Sequence, residues 1–227
     1  MFKNSLDSLK LGFLIIFALA MPLSISLNAK DEIGHYEITV LATNISNYGG
    51  FGEWSFSALY ESKQESILFD TGFHEDTVLH NANILKKDLS RVETVILSHF
   101  HSDHTGGLIK LRKIFRTKNS KAFTKVYVAR GFFDQRFDKN GIKIGPADYS
   151  DSAQFKRDAE KEGIQFLILD SHKEIAKNLF ATGSVERLVE TYNGPQGLYI
   201  DENLTKPDII LDLSLIHISE PTRQFAI

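Results

Sequence analysis

The chain contains no cysteine among its 227 residues, and this absence limits the chemistry that it can perform. No disulfide bond can form, and any metal site must use nitrogen and oxygen ligands instead of thiolates. A lipid anchor attached through a cysteine thioether is excluded as well. A large charge excess is also missing, because the formal net charge is −3 and no basic stripe with interleaved aromatic residues occurs. We therefore expect no nucleic-acid partner.

The composition, with 42% hydrophobic and 24% charged residues, is typical of one soluble domain with a complete core. The beginning of the chain is different, because Lys3 and Lys10 precede an apolar run at residues 11–21 and small residues follow up to Ala29. This order is typical of a secretory signal peptide. We predict that residues 1–29 are removed and that the mature protein is periplasmic or secreted, without stable membrane association. An uncleaved N-terminal membrane anchor is the alternative, although the run is short for a span of about 20 residues.

Hydrophobic periodicity beyond residue 30 predicts strands that alternate with helices, which favours an α/β sandwich with helices on its outer faces. The predicted strands are 35–43, 56–60, 66–69, 95–98, 125–129 and 164–169, and the predicted helices are 75–85, 108–118 and 151–162. Residues 131–151 are predicted to form an insertion over the functional site. Its aromatic residues are expected either to line a substrate pocket or to pack in the core, and they are Phe132, Phe133, Phe137 and Tyr149.

The densest cluster of potential metal ligands is His-Phe-His-Ser-Asp-His at residues 99–104. Side chains two apart on an extended segment point the same way, so His99 and His101 are predicted to share one metal ion. Asp103 and His104 fall in the turn that opens the next helix and are predicted to hold a second ion. Imidazole and carboxylate ligands suit one or two Zn²⁺ ions, with Mn²⁺ or Fe²⁺ as alternatives. A solvated polar loop without metal is the alternative for the whole cluster.

Two glycines follow this cluster. Gly106 and Gly107 have no Cβ and are predicted to let the helix start pass close to the metal and its bound water. His172 is a conceivable further ligand, but it lies in a polar bend and is predicted to face solvent. The next helix is expected to have a solvated basic face formed by Lys110, Arg112, Lys113, Arg116 and Lys118.

The His-x-His-x-Asp-His motif with the following Thr-Gly-Gly-Leu resembles the signature of the metallo-β-lactamase fold superfamily. Upstream, residues 66–72 resemble its strand-turn motif, whose aspartate, here Asp70, holds a ligand imidazole or the turn in place through a hydrogen bond. The alternative for Asp70 is a turn aspartate without contact to the site. Residues 41–44, 81–82, 181–187 and 207–212 extend the likeness to the subgroup labelled 7,8-dihydropterin-6-methyl-4-(β-D-ribofuranosyl)aminobenzene-5′-phosphate synthase. The resemblance implies an αββα sandwich and a metal-dependent hydrolase.

The chemistry implied by this resemblance is attack by a metal-activated water, whose pKa falls from about 15.7 to about 7. Asp103 is assigned a catalytic role because it can orient that water in addition to binding metal. The expected substrate is a small molecule with an ester, phosphoester or related bond, and a β-lactam ranks below these. A metal-binding protein without turnover and an inactive fragment of such a hydrolase are the alternatives.

The end of the chain departs from the pattern of the superfamily, which supplies further metal ligands downstream. No Gly-Cys-Ser-His-type turn follows residues 207–212. Residues 213–223 instead resemble the translation of a transposase-type sequencing adapter. We therefore expect a domain over 30–212 that is incomplete at its C-terminus, followed by a non-native tail over 213–227 in which His217 is not a ligand. A genuine, shortened C-terminus is the alternative.

Overall fold

The structure is a computed structural model that describes residues 36–46, 48–185 and 194–218. The predicted signal peptide at 1–29 and residues 219–227 of the predicted tail lie outside these ranges. Within them, no helix is both long and apolar enough to cross a membrane.

Short strands dominate the described part of the chain. In chain order they are β1 (Glu37–Ala42), β2 (Ser57–Glu61), β3 (Ser66–Phe69), β4 (Val92–Ile96), β5 (Lys125–Ala129), β6 (Arg136–Asp138), β7 (Lys143–Ile144), β8 (Gln165–Leu169), β9 (Lys173–Ala176), β10 (Leu179–Ala181), β11 (Leu198–Tyr199) and β12 (Ile216–Ile218). The helices are α1 (Thr77–Ile84), α2 (Ser102–Thr105), α3 (Leu108–Phe115) and α4 (Ser152–Lys161), with 3₁₀ turns at Leu89–Arg91 and Pro146–Asp148.

Six strands form the central sheet in the order β1-β2-β3-β4-β5-β8. The first three are antiparallel neighbours, whereas β3, β4, β5 and β8 run parallel. Helical segments connect the parallel strands, as their geometry requires. Because the carboxyl ends of parallel strands meet at one edge of a sheet, the segments that follow β3 and β4 lie side by side.

Helices cover one face of the central sheet. Alternate strand residues such as Leu68 and Val126 point to this face and pack against Val78 of α1, Leu111 of α3 and Phe155 of α4. All five are buried, and burying side chains of this size is worth about 1.5–3 kcal/mol each. This layer carries the largest apolar cluster of the described residues.

A second sheet, β12-β10-β9, covers the other face. Ile67, Ile96 and Leu169 of the central sheet pack there against Leu179 and Ala181. The layers are therefore helix, sheet and sheet. Since α4 is the last helix of the described residues, these residues contain three of the four layers of the predicted αββα sandwich.

Most predicted elements are present with small shifts of their ends. The strands predicted at 66–69 and 125–129 are confirmed to the residue. The helix predicted at 151–162 is α4, and the Asp151 carboxylate caps it by accepting a hydrogen bond from the backbone N–H of Ala153. The strand predicted at 95–98 is wrong in position, since β4 ends at Ile96.

The early end of β4 has a physical cause. The Ser98 backbone N–H donates to the Asp70 carboxylate at 2.7 Å, so the chain bonds to a side chain where a neighbouring strand would otherwise pair. The histidine motif therefore begins in a loop beyond the strand.

Residues 213–218 are paired with the rest of the domain. The Ser214 N–H donates to the Ser98 carbonyl at 2.7 Å, and β12 pairs antiparallel with β10. Backbone pairing of this kind does not depend on the origin of the sequence, so the non-native origin of 213–227 stays a prediction.

Candidate active site

Asp70 lies directly after β3 and is completely buried. Its backbone is left-handed, with φ 57°, a conformation that aspartate adopts more readily than most residues. The Ser57 hydroxyl donates to the Asp70 carbonyl at 2.8 Å and stabilises this turn. The Asp70 carboxylate accepts hydrogen bonds from Ser98 N and Ser98 Oγ at 2.7 and 2.8 Å, and it lies 2.7 Å from His104 Nδ1. The hydrogen bond expected of Asp70 is therefore present, whereas metal binding by His104 stays a prediction.

Asp70 and His104 each shift the pKa of the other. Burial raises the pKa of Asp70, and the bonds from His104 and Ser98 offset only part of that rise. Burial alone would lower the pKa of His104, but the hydrogen bond to Asp70 and its negative charge outweigh burial and raise it. The titrations of the two groups are therefore coupled, with Nδ1 of His104 engaged and Nε2 facing away from Asp70.

His99 and His101 converge as the spacing predicts. Nε2 of His99 lies 2.9 Å from Nδ1 of His101. Burial lowers the pKa of His99 to about 2, and it also lowers the pKa of His101. Nε2 of His101 is buried without a hydrogen-bond partner among the described residues. Both imidazoles are thus neutral at pH 7, the state in which histidine binds metals.

Asp103 and His104 lie in α2 and face each other. Oδ2 of Asp103 is 3.5 Å from Nε2 of His104. The Phe56 N–H donates to the Asp103 carbonyl at 3.3 Å, so the segment just before β2 helps to hold α2. The four predicted ligands therefore include two close pairs, one of two imidazoles and one of an imidazole and a carboxylate. The pairs adjoin each other, since the ring centroids of His99 and His104 are 4.2 Å apart.

Gly106 and Gly107 are required for a backbone contact that the sequence does not indicate. A Cβ on Gly106 would lie 1.7 Å from the Phe73 carbonyl oxygen, and one on Gly107 would lie 2.5 Å from the Thr71 carbonyl oxygen. Their close approach to a metal stays a prediction. They let α2 and α3 dock on the backbone of the turn that follows Asp70, where Gly106 N–H donates to Gly72 O at 2.8 Å.

The donor chemistry of the two pairs fits divalent metal ions, and the orphaned nitrogen of His101 is consistent with a missing partner. The number of donors is smaller than a closed zinc site needs, since three or four protein ligands are usual. In the described ranges, no group of three or more His, Cys, Asp or Glu side chains is arranged to hold a metal ion. The residues present therefore fit two half-formed coordination shells.

Comparison with known proteins identifies the family. The profile of the metallo-beta-lactamase superfamily matches residues 55–169, just over half of the chain. The chain belongs to the metallo-β-lactamase superfamily. The family and fold predicted from the histidine motif are thus confirmed.

Individual relatives in the superfamily are distant. The chain is 33% identical over 91 residues to the 7,8-dihydropterin-6-methyl-4-(beta-D-ribofuranosyl)-aminobenzene-5'-phosphate synthase of Methanocaldococcus jannaschii, a match that covers 36% of this chain and 31% of that protein. It is 28% identical over 98 residues to Ribonuclease Z of Methanosarcina mazei, which covers 38% and 31%. The crystal structure of Tm1679, a metal-dependent hydrolase of the β-lactamase superfamily, aligns with TM-score 0.60 and 25% identity over 81% of this chain and 61% of that chain. The match thus spans about a third of the length of each curated relative.

A cavity of about 410 Å³ opens beside the histidine motif at residues 99–104. One wall contains His101 and Asp103, and the other is formed by residues 143–150 of the predicted insertion. Tyr149 lines the cavity and also packs against the core, so it meets both alternatives given for these aromatic residues. The other three aromatic residues of the insertion pack in or against the core: Phe132, Phe133 and Phe137.

A buried arginine that the sequence did not single out lies beneath the motif. Arg136 is 2% exposed, and its guanidinium donates to Asp212 at 2.7 Å and to Asp208 at 3.4 Å. Asp212 also accepts the Phe100 N–H at 2.8 Å. Both aspartates belong to the segment that resembles the subgroup, but no motif signals Arg136.

Two further charged residues, Arg112 and Glu53, have contacts that the sequence does not predict. Arg112 was predicted in a solvated face, but it is 8% exposed because it donates to the carbonyls of Glu162, Ser120 and Ala122 at 2.8–3.0 Å. Glu53 was not predicted at all, and only its place directly after the Gly-Gly-Phe-Gly stretch at residues 49–52 could have drawn attention to it.

Glu53 holds the turn that follows Asp70. Its carboxylate accepts hydrogen bonds from Phe73 N at 2.8 Å, from His74 N at 3.1 Å and from Thr77 Oγ1 at 2.7 Å. Burial would raise the pKa of Glu53, but hydrogen bonds from Ser55 and from these three groups outweigh it and leave the pKa lowered. The carboxylate therefore ties the loop before β2 to the start of α1.

Proposed function

We propose that this protein is a metal-dependent hydrolase that cleaves an ester, phosphoester or related bond in a small molecule. The observation that carries the proposal is the convergence of two neutral, buried imidazoles, with 2.9 Å between His99 Nε2 and His101 Nδ1, of which His101 lines a cavity of about 410 Å³. That volume is in the range of small-molecule sites. Zinc is the proposed metal, since imidazole and carboxylate donors suit it.

Each residue of the motif has a part in this proposal. His99 and His101 would hold one ion, and Asp103 and His104 would hold a second. When bound, such an ion supplies a Lewis acid and lowers the pKa of a water ligand. Asp103 lines the cavity and would also orient the attacking water, while Asp70 fixes the ring of His104.

Lys143 is a candidate contact for an anionic group of the substrate. It is the one lysine or arginine among the described residues that line the cavity, where Asp103 and Asp148 also lie. It lies on β7, across from the motif, where it can pair with a phosphate or carboxylate of the substrate. The charge of the wall does not rank the bonds by itself, so a phosphoester ranks above a lactam because of the likeness to the phosphate synthase of Methanocaldococcus jannaschii. Export of the mature protein remains part of the proposal, and N-terminal sequencing of protein recovered from a periplasmic extract tests it.

The proposal is tested by zinc content and turnover together. The chain is equilibrated with zinc, its bound metal is counted, and hydrolysis of a phosphodiester, a lactone and a cephalosporin is followed from pH 5 to 9. We expect zinc binding and pH-dependent hydrolysis of the phosphodiester or lactone, both lost in His101→Ala and kept in His172→Ala, which alters an exposed histidine. Full zinc occupancy without turnover would instead favour a metal-binding protein, and no zinc binding would contradict both.

A further inference from the structure

We propose that Arg136 is a positioning residue that sets the directions of the His99 and His101 side chains by fixing Phe100 between them. Arg136 opens β6, 36 positions after Phe100 in the chain, and belongs to a separate small sheet, β11-β6-β7. The zinc readout used below rests on the proposed function, but the contacts that suggest this role do not.

Phe100 is held at two points by one ionic group. The Arg136 guanidinium carbon lies 4.1 Å from the centroid of the Phe100 ring, a distance at which a cation is attracted to an aromatic face. The Phe100 N–H donates to Asp212 Oδ2 at 2.8 Å, and Oδ1 of the same carboxylate accepts from Arg136 at 2.7 Å. Ring and backbone of Phe100 are therefore fixed together.

Fixing Phe100 fixes its neighbours. His99 and His101 flank it in the chain, so the backbone angles of Phe100 determine how the two side chains are directed relative to each other. The distance of 2.9 Å between their ring nitrogens depends on that relation. A shift of Phe100 by a fraction of an ångström would separate the pair.

A purely stabilising role accounts poorly for this arrangement. Removing an arginine and two carboxylates from water costs several kcal/mol per ion, on the order of what their attraction returns. Apolar residues would fill the same space at least as well. Arg136 is also anchored by the carbonyls of Gly131 at 2.7 Å and Asp134 at 2.6 Å, which use the planar fork that lysine lacks. The geometry of the guanidinium, rather than its charge alone, is thus what the site requires.

The test compares two buried arginines. Arg136→Met removes the contact with Phe100, and Arg112→Met removes a buried arginine that donates hydrogen bonds to backbone carbonyls outside the motif. Zinc affinity is measured by competition with a chromophoric chelator, and the ring nitrogens of His99 and His101 are followed by ¹⁵N NMR without metal. We expect Arg136→Met to weaken zinc binding by about tenfold or more and to shift both ring signals, and Arg112→Met to change neither beyond about twofold.

Two further variants keep the test decisive if Arg136→Met does not fold. Arg136→Lys retains the charge without the fork, and Phe100→Leu removes the ring while leaving its N–H on Asp212. Both are expected to shift the ring signals of the two histidines. Unchanged ring signals in both variants would overturn the positioning role, as would equal effects of Arg136→Met and Arg112→Met. Wild-type protein that binds no zinc would contradict the proposed function, and the metal-free NMR comparison would still decide the role of Arg136.

Discussion

Two buried ionic groups contact the histidine motif. The Asp70 group consists of Asp70, Ser98 and His104, and the Arg136 group consists of Arg136, Asp208 and Asp212 with Phe100. They differ in how the chain assembles them. The Asp70 group joins residues at the ends of the adjacent parallel strands β3 and β4, at most 34 positions apart. The Arg136 group joins residues up to 112 positions apart, between Phe100 and Asp212. The pairing of adjacent strands in the central sheet is enough to bring the Asp70 group together. The Arg136 group forms only when the later part of the domain folds against the motif.

The two groups also differ in charge. Asp70 is a single carboxylate that faces one imidazole. Arg136 faces two carboxylates, which leaves one excess negative charge in a site where charges are costly. The Arg136 group is therefore expected to respond to pH, since the pKa of Asp212 is raised to about 6.

Asp70→Ala is expected to have the largest effect on the motif. It leaves the Ser98 N–H and the His104 imidazole unpaired in a buried site, and breaking a buried pair in this way costs about 3–5 kcal/mol of unfolding free energy. Urea unfolding measures this loss, and zinc affinity should fall with it. Asp76→Ala is the control, because the Asp76 carboxylate is exposed and pairs only with Lys110 on the surface. A loss no larger than in that control would show that the Asp70 group does not hold the motif.

Gly106→Ala tests the docking of the Asp70 turn on α2 and α3. The new methyl group would overlap the Phe73 carbonyl, and relief requires the backbone to move. We expect a loss of about 3 kcal/mol, at the upper end for overpacking. Gly141→Ala is the matched control, because nothing lies within 4 Å of its Cβ position and only its positive φ is unfavourable, by about 1–2 kcal/mol. Equal losses in thermal unfolding would mean that this close approach is not needed.

Asp212→Asn tests the charge of the Arg136 group. Burial and the neighbouring Asp208 raise the pKa of Asp212 to about 6, although Arg136 opposes them. A carboxyl with a raised pKa takes up its proton in the folded state first, so it contributes stability at low pH that is lost as the pH rises through 6. The unfolding free energy of wild type relative to Asp212→Asn should therefore increase by about 2–3 kcal/mol between pH 7 and pH 4. A difference that stays constant over this range would show that Asp212 remains ionised in the fold.

Sequence reasoning located the first group and missed the second for a physical reason. Asp70 stands in a strand-turn pattern, and its partners His104 and Ser98 stand in a motif at the end of the next strand, so topology alone brings them together. Arg136 lies in a polar insertion where an arginine is normally exposed, and only the folded chain supplies Asp208 and Asp212 to bury it.

The same limit applies to residues whose partners are backbone atoms. The reading of Gly106 as a metal-facing glycine came from its position beside the motif, but the group that it approaches is a carbonyl of the turn after β3. Arg112 was expected in solvent because it falls among basic residues, but it is buried and donates to three carbonyls of the segments that follow α3 and α4. Patterns of residue types indicate elements and local motifs, but they carry little information on which backbone groups will need a partner.

Glu53→Gln is expected to have the smallest effect, at the edge of the Asp70 region. The amide keeps one acceptor for the N–H groups of Phe73 and His74 but loses the charge that strengthens those bonds. We expect a loss of about 1 kcal/mol at pH 7, since the side chain is only half-buried and bonds to charged groups are worth more when solvent is excluded. Because the pKa of Glu53 is lowered in the fold, this advantage of the wild type should be present above pH 4.5 and disappear as the pH falls below it. Glu75→Gln, at an exposed carboxylate of the turn between β3 and α1, should change stability little at either pH, and a matching loss there would assign the effect to general surface charge instead of the Glu53 bonds.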